Sequence, residues 1–208
     1  MSATPPSIEV VLFDVGGVLI ELGGVTPMLD SLGYRMPTED LWRKWLHSPG
    51  ARDFETGRIE AREFATRMIE ELQLQITHER FLEGFAGWPT GLFPGIVEVL
   101  ERIPDQYVRA VLSNSNAVHW PQVEIDLGSL VHHQFVSHRT GHIKPDEAAF
   151  LHVSETLHCR PEAILFLDDN LLNVEAARRT GMQAFVARGT REVEQVLLEA
   201  KVIERSES

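Results

Sequence analysis

Two stretches of four consecutive apolar residues, each ending in a carboxylate, constrain this chain most: Val10-Val11-Leu12-Phe13 before Asp14, and Ile164-Leu165-Phe166-Leu167 before Asp168-Asp169. An unbroken apolar run too short for a helix, with no polar residue at alternate positions, predicts a strand covered on both faces. Such strands belong to parallel sheets flanked by helices. Further strands are predicted at Tyr107 to Leu112, Gln134 to Ser137 and Met182 to Ala187, with the run before Asp168 starting at Ala163. Helical patterns lie at Gly95 to Arg102, Asp146 to Leu157, Leu171 to Arg179 and Arg191 to Ala200, and Gly181 is placed to close the third. The alternation predicts an α/β fold, a Rossmann-like doubly wound parallel sheet, and right-handed crossovers would gather the strand tips at one edge.

From about Glu21 to Gly91 the pattern changes to helical signals without a convincing strand. This predicts an inserted helical domain, residues 21–90, within a core made of residues 1–20 and 91–208. Thr38, followed by Glu39 and Asp40, reads as a helix start; Phe64, Met68 and Leu72 recur every fourth residue; Thr77 can cap a helix carrying Phe81, Leu82 and Phe85. Those stripes read as helix packing. Pro89, Gly91, Pro94 and Gly95 mark the return to the core.

A formal charge of −12 over 208 residues argues against nucleic acid or an anionic membrane as the main partner. Cys159, the single cysteine, permits no intrachain disulfide and reads as a packing residue. No stretch is long and apolar enough to cross a bilayer, and the first residues lack the pattern of a secretion signal, so a cytoplasmic location is expected. Oligomeric state leaves no local motif.

Chemistry concentrates at four segments. Asp14 is followed by Gly16 and Gly17, which allow a sharp turn and close ligand approach; an ordinary strand-to-turn junction would look similar. Ser113 and Asn114 end another apolar strand, where a hydroxyl can hold an anion's oxygen but where turn residues are also common. Lys144 precedes Pro145, which is placed to open the next helix, and could neutralise a phosphate, although most lysines are surface residues. Asp168 and Asp169 are adjacent carboxylates that need a compensating cation unless, with Asn170, they cap a helix. Magnesium suits such a pair, being a hard ion held by one or two carboxylates, waters and substrate phosphate. His132, His133, His138 and His142 crowd one region in no standard metal-ligand spacing. Trp42, Trp45, Arg52 and Trp88 of the insertion could read a substrate, or could simply pack.

Taken in order, Phe-Asp-x-Gly-x-Val, Leu-Ser-Asn-Ser-Asn, Lys-Pro and Leu-Asp-Asp-Asn resemble the motifs of the haloacid dehalogenase superfamily, with the helical insertion where its type 1 cap lies. The wording is most similar to its small sugar-phosphate phosphatases, including the α-glucose-1-phosphatase branch, and Phe54-Glu55-Thr56-Gly57-Arg58-Ile59 is similar to the cap of that branch. The resemblance implies that Asp14 attacks phosphorus to form an aspartyl-phosphate, which water then hydrolyses. It further implies magnesium on Asp14, Asp169 and the Gly16 carbonyl, with Asp168 as ligand or outer carboxylate. Ser113, Asn114 and Lys144 would bind or position the phosphate of a small ester such as glucose 1-phosphate. Gly16 departs from the pattern, because most phosphatases of this superfamily carry a second Asp there as general acid and base. An anomeric phosphate with its better leaving group, or an acid from the cap or the substrate, would offset that loss. Two alternatives stay open. One is a metal-free carbon–halogen hydrolase, disfavoured by Asp168-Asp169 and by Phe150 where such enzymes tend to have tyrosine. The other is a non-catalytic module that binds a phosphate ligand.

Overall fold

The computed structural model describes residues 7–23, 44–45 and 47–205. Its core is a five-stranded parallel sheet, ordered β5-β4-β1-β6-β7, built from β1 (Val10–Phe13), β4 (Val108–Ser113), β5 (His133–Val136), β6 (Ile164–Asp168) and β7 (Gln183–Val186). The apolar runs lie at its centre because strand residues alternate sides and both sides are covered. Val11, Phe13, Val111, Leu165 and Leu167 face one layer with Ile96, Trp120 and Leu197. Val10, Leu12, Ala110, Leu112, Ile164 and Phe166 face the other with Phe150, Val153 and Val174. The first layer is made by α4 (Ile96–Glu101), α5 (Trp120–Leu127) and α9 (Gly189–Glu199). The second is made by α7 (Glu147–Thr156) and α8 (Leu171–Arg179). Cys159 is buried in that second layer.

Between β1 and β4 lie α1 (Pro49–Glu55), α2 (Ala61–Leu72) and α3 (His78–Ala86), which share a separate apolar cluster. Phe64, Met68 and Leu72 supply the buried stripe of α2, and Phe54 stacks on Phe64 with ring centroids 4.3 Å apart. Thr77 caps α3 by accepting a hydrogen bond from the Arg80 backbone at 3.2 Å. Trp42 and the helix start expected at Thr38 to Asp40 fall outside the described residues.

Three expectations need correction. The stretch from Glu21 to Gly91 does contain strand: β2 (Ile20–Leu22) pairs antiparallel with β3 (Pro89–Leu92). So short a ribbon, holding proline and glycine, forms through its partner and carries no periodic signal of its own. Pro145 does not open α7, because Asp146 stands between as its N-cap; the Lys144–Pro145 bond is cis. And α5 was not anticipated, because its entry depends on the Asn116 side chain, which accepts from the Val118 and His119 backbone at 3.0 and 3.1 Å. Short α6 (Ser137–Thr140) completes the fold. Among the described residues, no helix is long and apolar enough to cross a membrane.

Candidate active site

From β1 the chain moves outward through β4 and β5, then returns to the other side of β1 through β6 and β7. The crevice at the carboxyl ends of β4, β1 and β6 is where such a sheet leaves room for a ligand. Phe13 is level with Val111 on β4 and Leu167 on β6, so Asp14, Ser113 and the Asp168-Asp169 pair end the strands side by side. Lys144 reaches them from the loop after α6. Its Nζ lies 2.7 Å from Asp14 Oδ1 and 2.6 Å from Asp168 Oδ2, with all three side chains largely shut from solvent. Asn114 holds the lysine's backbone with two reciprocal bonds, donating to the Lys144 carbonyl at 2.9 Å and accepting from its N–H at 2.8 Å. Serine 113 is buried and lines the crevice.

The two carboxylates at the tip of β6 are not equivalent. Asp168, the last residue of the strand, is fully buried and is held by Lys144, by Asn173 Nδ2 at 3.0 Å on both oxygens, and by the Asn170 N–H at 2.8 Å. Asp169, one residue on, faces the crevice and accepts from the exposed Arg188 at 2.8 Å. Close approach depends on Gly17, whose φ is +79°; a Cβ there would sit 2.5 Å from Asp169 Oδ2.

Burial pushes the Asp14 carboxyl up to about 7, because the nearby Lys144 charge only partly offsets desolvation and the Asp168 and Asp169 charges add to it. Burial would lower the Lys144 ammonium, but Asp14 and Asp168 outweigh it and raise its pKa. Burial and Asp168 likewise raise Asp169, against the pull of Arg188. Three carboxylates thus face one buried ammonium and one exposed guanidinium whose screened pairing contributes little. Oxygens of Asp14, Asp168 and Asp169 lie within 4.8 Å of one another, a donor set of hard, under-neutralised oxygens that fits a divalent cation such as magnesium.

Above this floor is a cavity of about 580 Å³, lined also by Trp45, Glu55, Trp88, Asn116 and His119.

The sequence profile of the haloacid dehalogenase-like hydrolases matches residues 8–181. The chain belongs to this family of hydrolases. Within it, the chain is similar to a phosphorylated carbohydrates phosphatase of Thermotoga maritima, 25% identical over 195 residues that cover 85% of this chain and 83% of the relative. In fold it is similar to a HAD family enzyme of Bacteroides thetaiotaomicron solved with magnesium and inorganic phosphate (TM-score 0.77, 20% identity, covering 91% of this chain and 99% of that one). It is similar also to an L-2-haloacid dehalogenase (TM-score 0.67, 18% identity, covering 92% and 99%). The shared fold therefore spans both phosphate and halide chemistry, and the side chains must separate them.

In this member of the family, Asp14, Gly16, Ser113, Asn114, Lys144 and Asp169 all line the crevice, whereas Asp168 stands behind it. Trp45 and Trp88 reach the cavity; Arg52 turns away to pair with Asp146 at 2.5 Å. The histidines do not converge: His132 accepts from the Arg109 N–H, while His142 packs against His152. Asn173, Arg188 and His119 escaped the sequence reading, which named Glu55 only within the segment from Phe54 to Ile59. Asn173 alone left a usable signal, lying one helical turn after the Asn170 N-cap and so facing the strand tip.

His119 fastens the helical segment to the core. Its Nε2 donates to the Phe85 carbonyl at 2.7 Å, leaving Nδ1 to accept from Asn116 Nδ2 at 3.2 Å, and its ring lies 4.0 Å from that of Phe85. Burial lowers its pKa to about 4. Between pH 4 and 6.5 the unfolded chain therefore binds a proton that the native ring refuses. The stability this group contributes is complete above pH 6.5 and declines by about 3 kcal/mol as pH falls to 4. Comparing urea unfolding of the wild type with His119→Gln at pH 7 and pH 4.5 isolates the effect. The stability advantage of the wild type should shrink on acidification, and a constant difference would show that His119 is not the titrating group.

Proposed function

We propose that this hydrolase is a magnesium-dependent phosphatase that acts on a small phosphomonoester, a sugar phosphate such as glucose 1-phosphate being the leading class, through an aspartyl-phosphate on Asp14. The observation that carries this reading is the Lys144 ammonium bridging Asp14 and Asp168, with Asp169 beside it in the crevice. A carbon–halogen displacement has no use for that excess of carboxylate, whereas a metal and a phosphate dianion complete its charge balance. Phe150 also disfavours the halide reading, since its ring is buried in the apolar layer under the sheet.

Asp14, Asp169 and the Gly16 carbonyl would hold magnesium, and the bound ion would neutralise phosphoryl oxygens. Asp168 acts behind them by fixing Lys144 and is itself fixed by Asn173. The Val15 N–H donates to Asp14 Oδ1 at 2.7 Å, which with Lys144 leaves Oδ2 to attack phosphorus in line with the leaving oxygen. Ser113 and Lys144 receive the phosphoryl oxygens, and Asn114 keeps the lysine backbone in place. The helical segment within 21–90 serves as a cap, its Trp45 and Trp88 faces suited to the C–H faces of a sugar ring. Support also comes from the Thermotoga relative, named for phosphorylated carbohydrates, and from the Bacteroides neighbour, solved with magnesium and phosphate.

The test is phosphate release from a panel of sugar phosphates and aryl phosphates, with magnesium and with chelator, beside halide release from 2-haloacids. Magnesium-dependent release from at least one ester is expected. Metal-independent halide release, or no phosphate release across the panel, would sink the proposal.

A further inference from the structure

We propose that Glu55, carried by the cap, is the proton donor to the leaving oxygen and the base for the hydrolytic water. This rests on the phosphatase reading above, and on which groups facing the cavity have a proton to give.

Departure of a sugar oxygen from phosphorus needs a proton, and the core places none there. Gly16 has no side chain, and the space next to it is filled: Leu22 Cδ1 lies 3.0 Å from where a Cβ at position 16 would stand. Among the described residues lining the cavity, the titratable groups are Asp14, Glu55, His119, Lys144, Asp169 and Arg188. Asp14 is the nucleophile. Lys144 is tied to Asp14 and Asp168, Asp169 to Arg188, and a guanidinium does not release its proton. Both nitrogens of His119 are engaged, with Phe85 and Asn116.

Glu55 differs from each of these. It ends α1, and its Oε1 accepts one neutral hydrogen bond, from Trp45 Nε1 at 3.2 Å. Among the described residues it forms no ion pair, while Arg52 pairs with Asp146, Arg58 with Asp53, and Arg67 with Asp53 and Glu63. Burial, only partly offset by Trp45 and Arg52, pushes its carboxyl up to about 7, so that both the acid and its conjugate base are populated at neutral pH.

The steps balance. An Asp14 oxygen forms its bond to phosphorus as the bond from phosphorus to the ester oxygen breaks. That oxygen keeps the bonding pair and takes the proton of Glu55, releasing the alcohol. The Glu55 carboxylate then removes a proton from water as the water oxygen attacks the aspartyl-phosphate. Hydrogen phosphate leaves, and Asp14 and protonated Glu55 are restored.

Glu55→Gln retains an acceptor for Trp45 and removes the proton, so single-turnover kinetics can separate the two steps. With glucose 1-phosphate or glucose 6-phosphate, the rate of Asp14 phosphorylation should fall on the order of 100-fold. With p-nitrophenyl phosphate, whose phenolate leaves without a proton, the first-turnover burst should fall less than ten-fold and phosphorylated protein should accumulate. Glu55→Asp should recover part of the sugar-phosphate rate. An equal loss on both esters, or no loss on either, overturns the assignment, as does a Glu55→Asp protein that recovers none of the sugar-phosphate rate at pH 6 to 8 while its circular dichroism and magnesium binding are unchanged. A wild type without phosphatase activity would instead overturn the phosphatase reading itself.

Discussion

Asp14→Asn is expected to abolish magnesium-dependent phosphate release, lowering kcat on the order of 10⁴-fold or more while the protein stays folded. The amide keeps the shape of the carboxylate and cannot form the aspartyl-phosphate, so the loss falls on the chemical step. Stability should be little changed, for a reason specific to this site. Asp14 is already held against its preferred charge state, with a carboxyl raised to about 7 by burial and by the neighbouring carboxylates. Removing it leaves Lys144 still paired with Asp168 at 2.6 Å, so no buried charge is orphaned. Rapid-quench detection of phosphorylated protein provides the readout. A folded Asp14→Asn protein that retains a tenth of the wild-type rate would remove Asp14 from the nucleophile's role.

Lys144→Met should have the opposite balance, damaging the fold as well as the reaction. The thioether fills much of the aliphatic stem's space, but Asp14 and Asp168 lose the ammonium they share in a site closed to solvent. Breaking a buried ion pair from one side costs about 3–5 kcal/mol, and for a chain of this size that corresponds to a fall in Tm of about 10 °C. The pH dependence has a definite sign. Without Lys144 the Asp14 carboxyl rises further above its unfolded value, so the native state holds more protons than the unfolded state. Such a group contributes stability at low pH and loses it as pH rises, and the deficit should therefore be larger at pH 8 than at pH 5. Differential scanning calorimetry at the two pH values decides the matter; a deficit independent of pH would mean that lost packing, and not unpaired charge, causes the instability.

Much of the core was legible because its signals are local. The runs before Asp14 and Asp168 could only be strands covered on both sides, and in a parallel sheet the tips of β1, β4 and β6 share one edge. The stripe Phe64, Met68, Leu72 predicted the buried face of α2 in the same way, and Thr77 its neighbour's cap. Elements without local periodicity were missed. The β2–β3 ribbon exists because two short segments meet, and α5 because Asn116 turns the chain into it.

The order of residue types along the chain thus determined, by itself, which strands were buried and which side chains would stand at their ends. Only the tertiary structure decided what those side chains do to one another. Asp168 and Asp169 are identical in chemistry and adjacent in sequence, yet successive residues at a strand tip point opposite ways, so one is buried on Lys144 and Asn173 while the other faces the crevice. Glu55, His119 and Arg188 arrive from segments far apart in the chain. The burial of Glu55 and His119, and with it their proton affinity, is a property of what folds over them; a carboxyl becomes a usable acid at neutral pH through lost hydration, which no sequence spacing records.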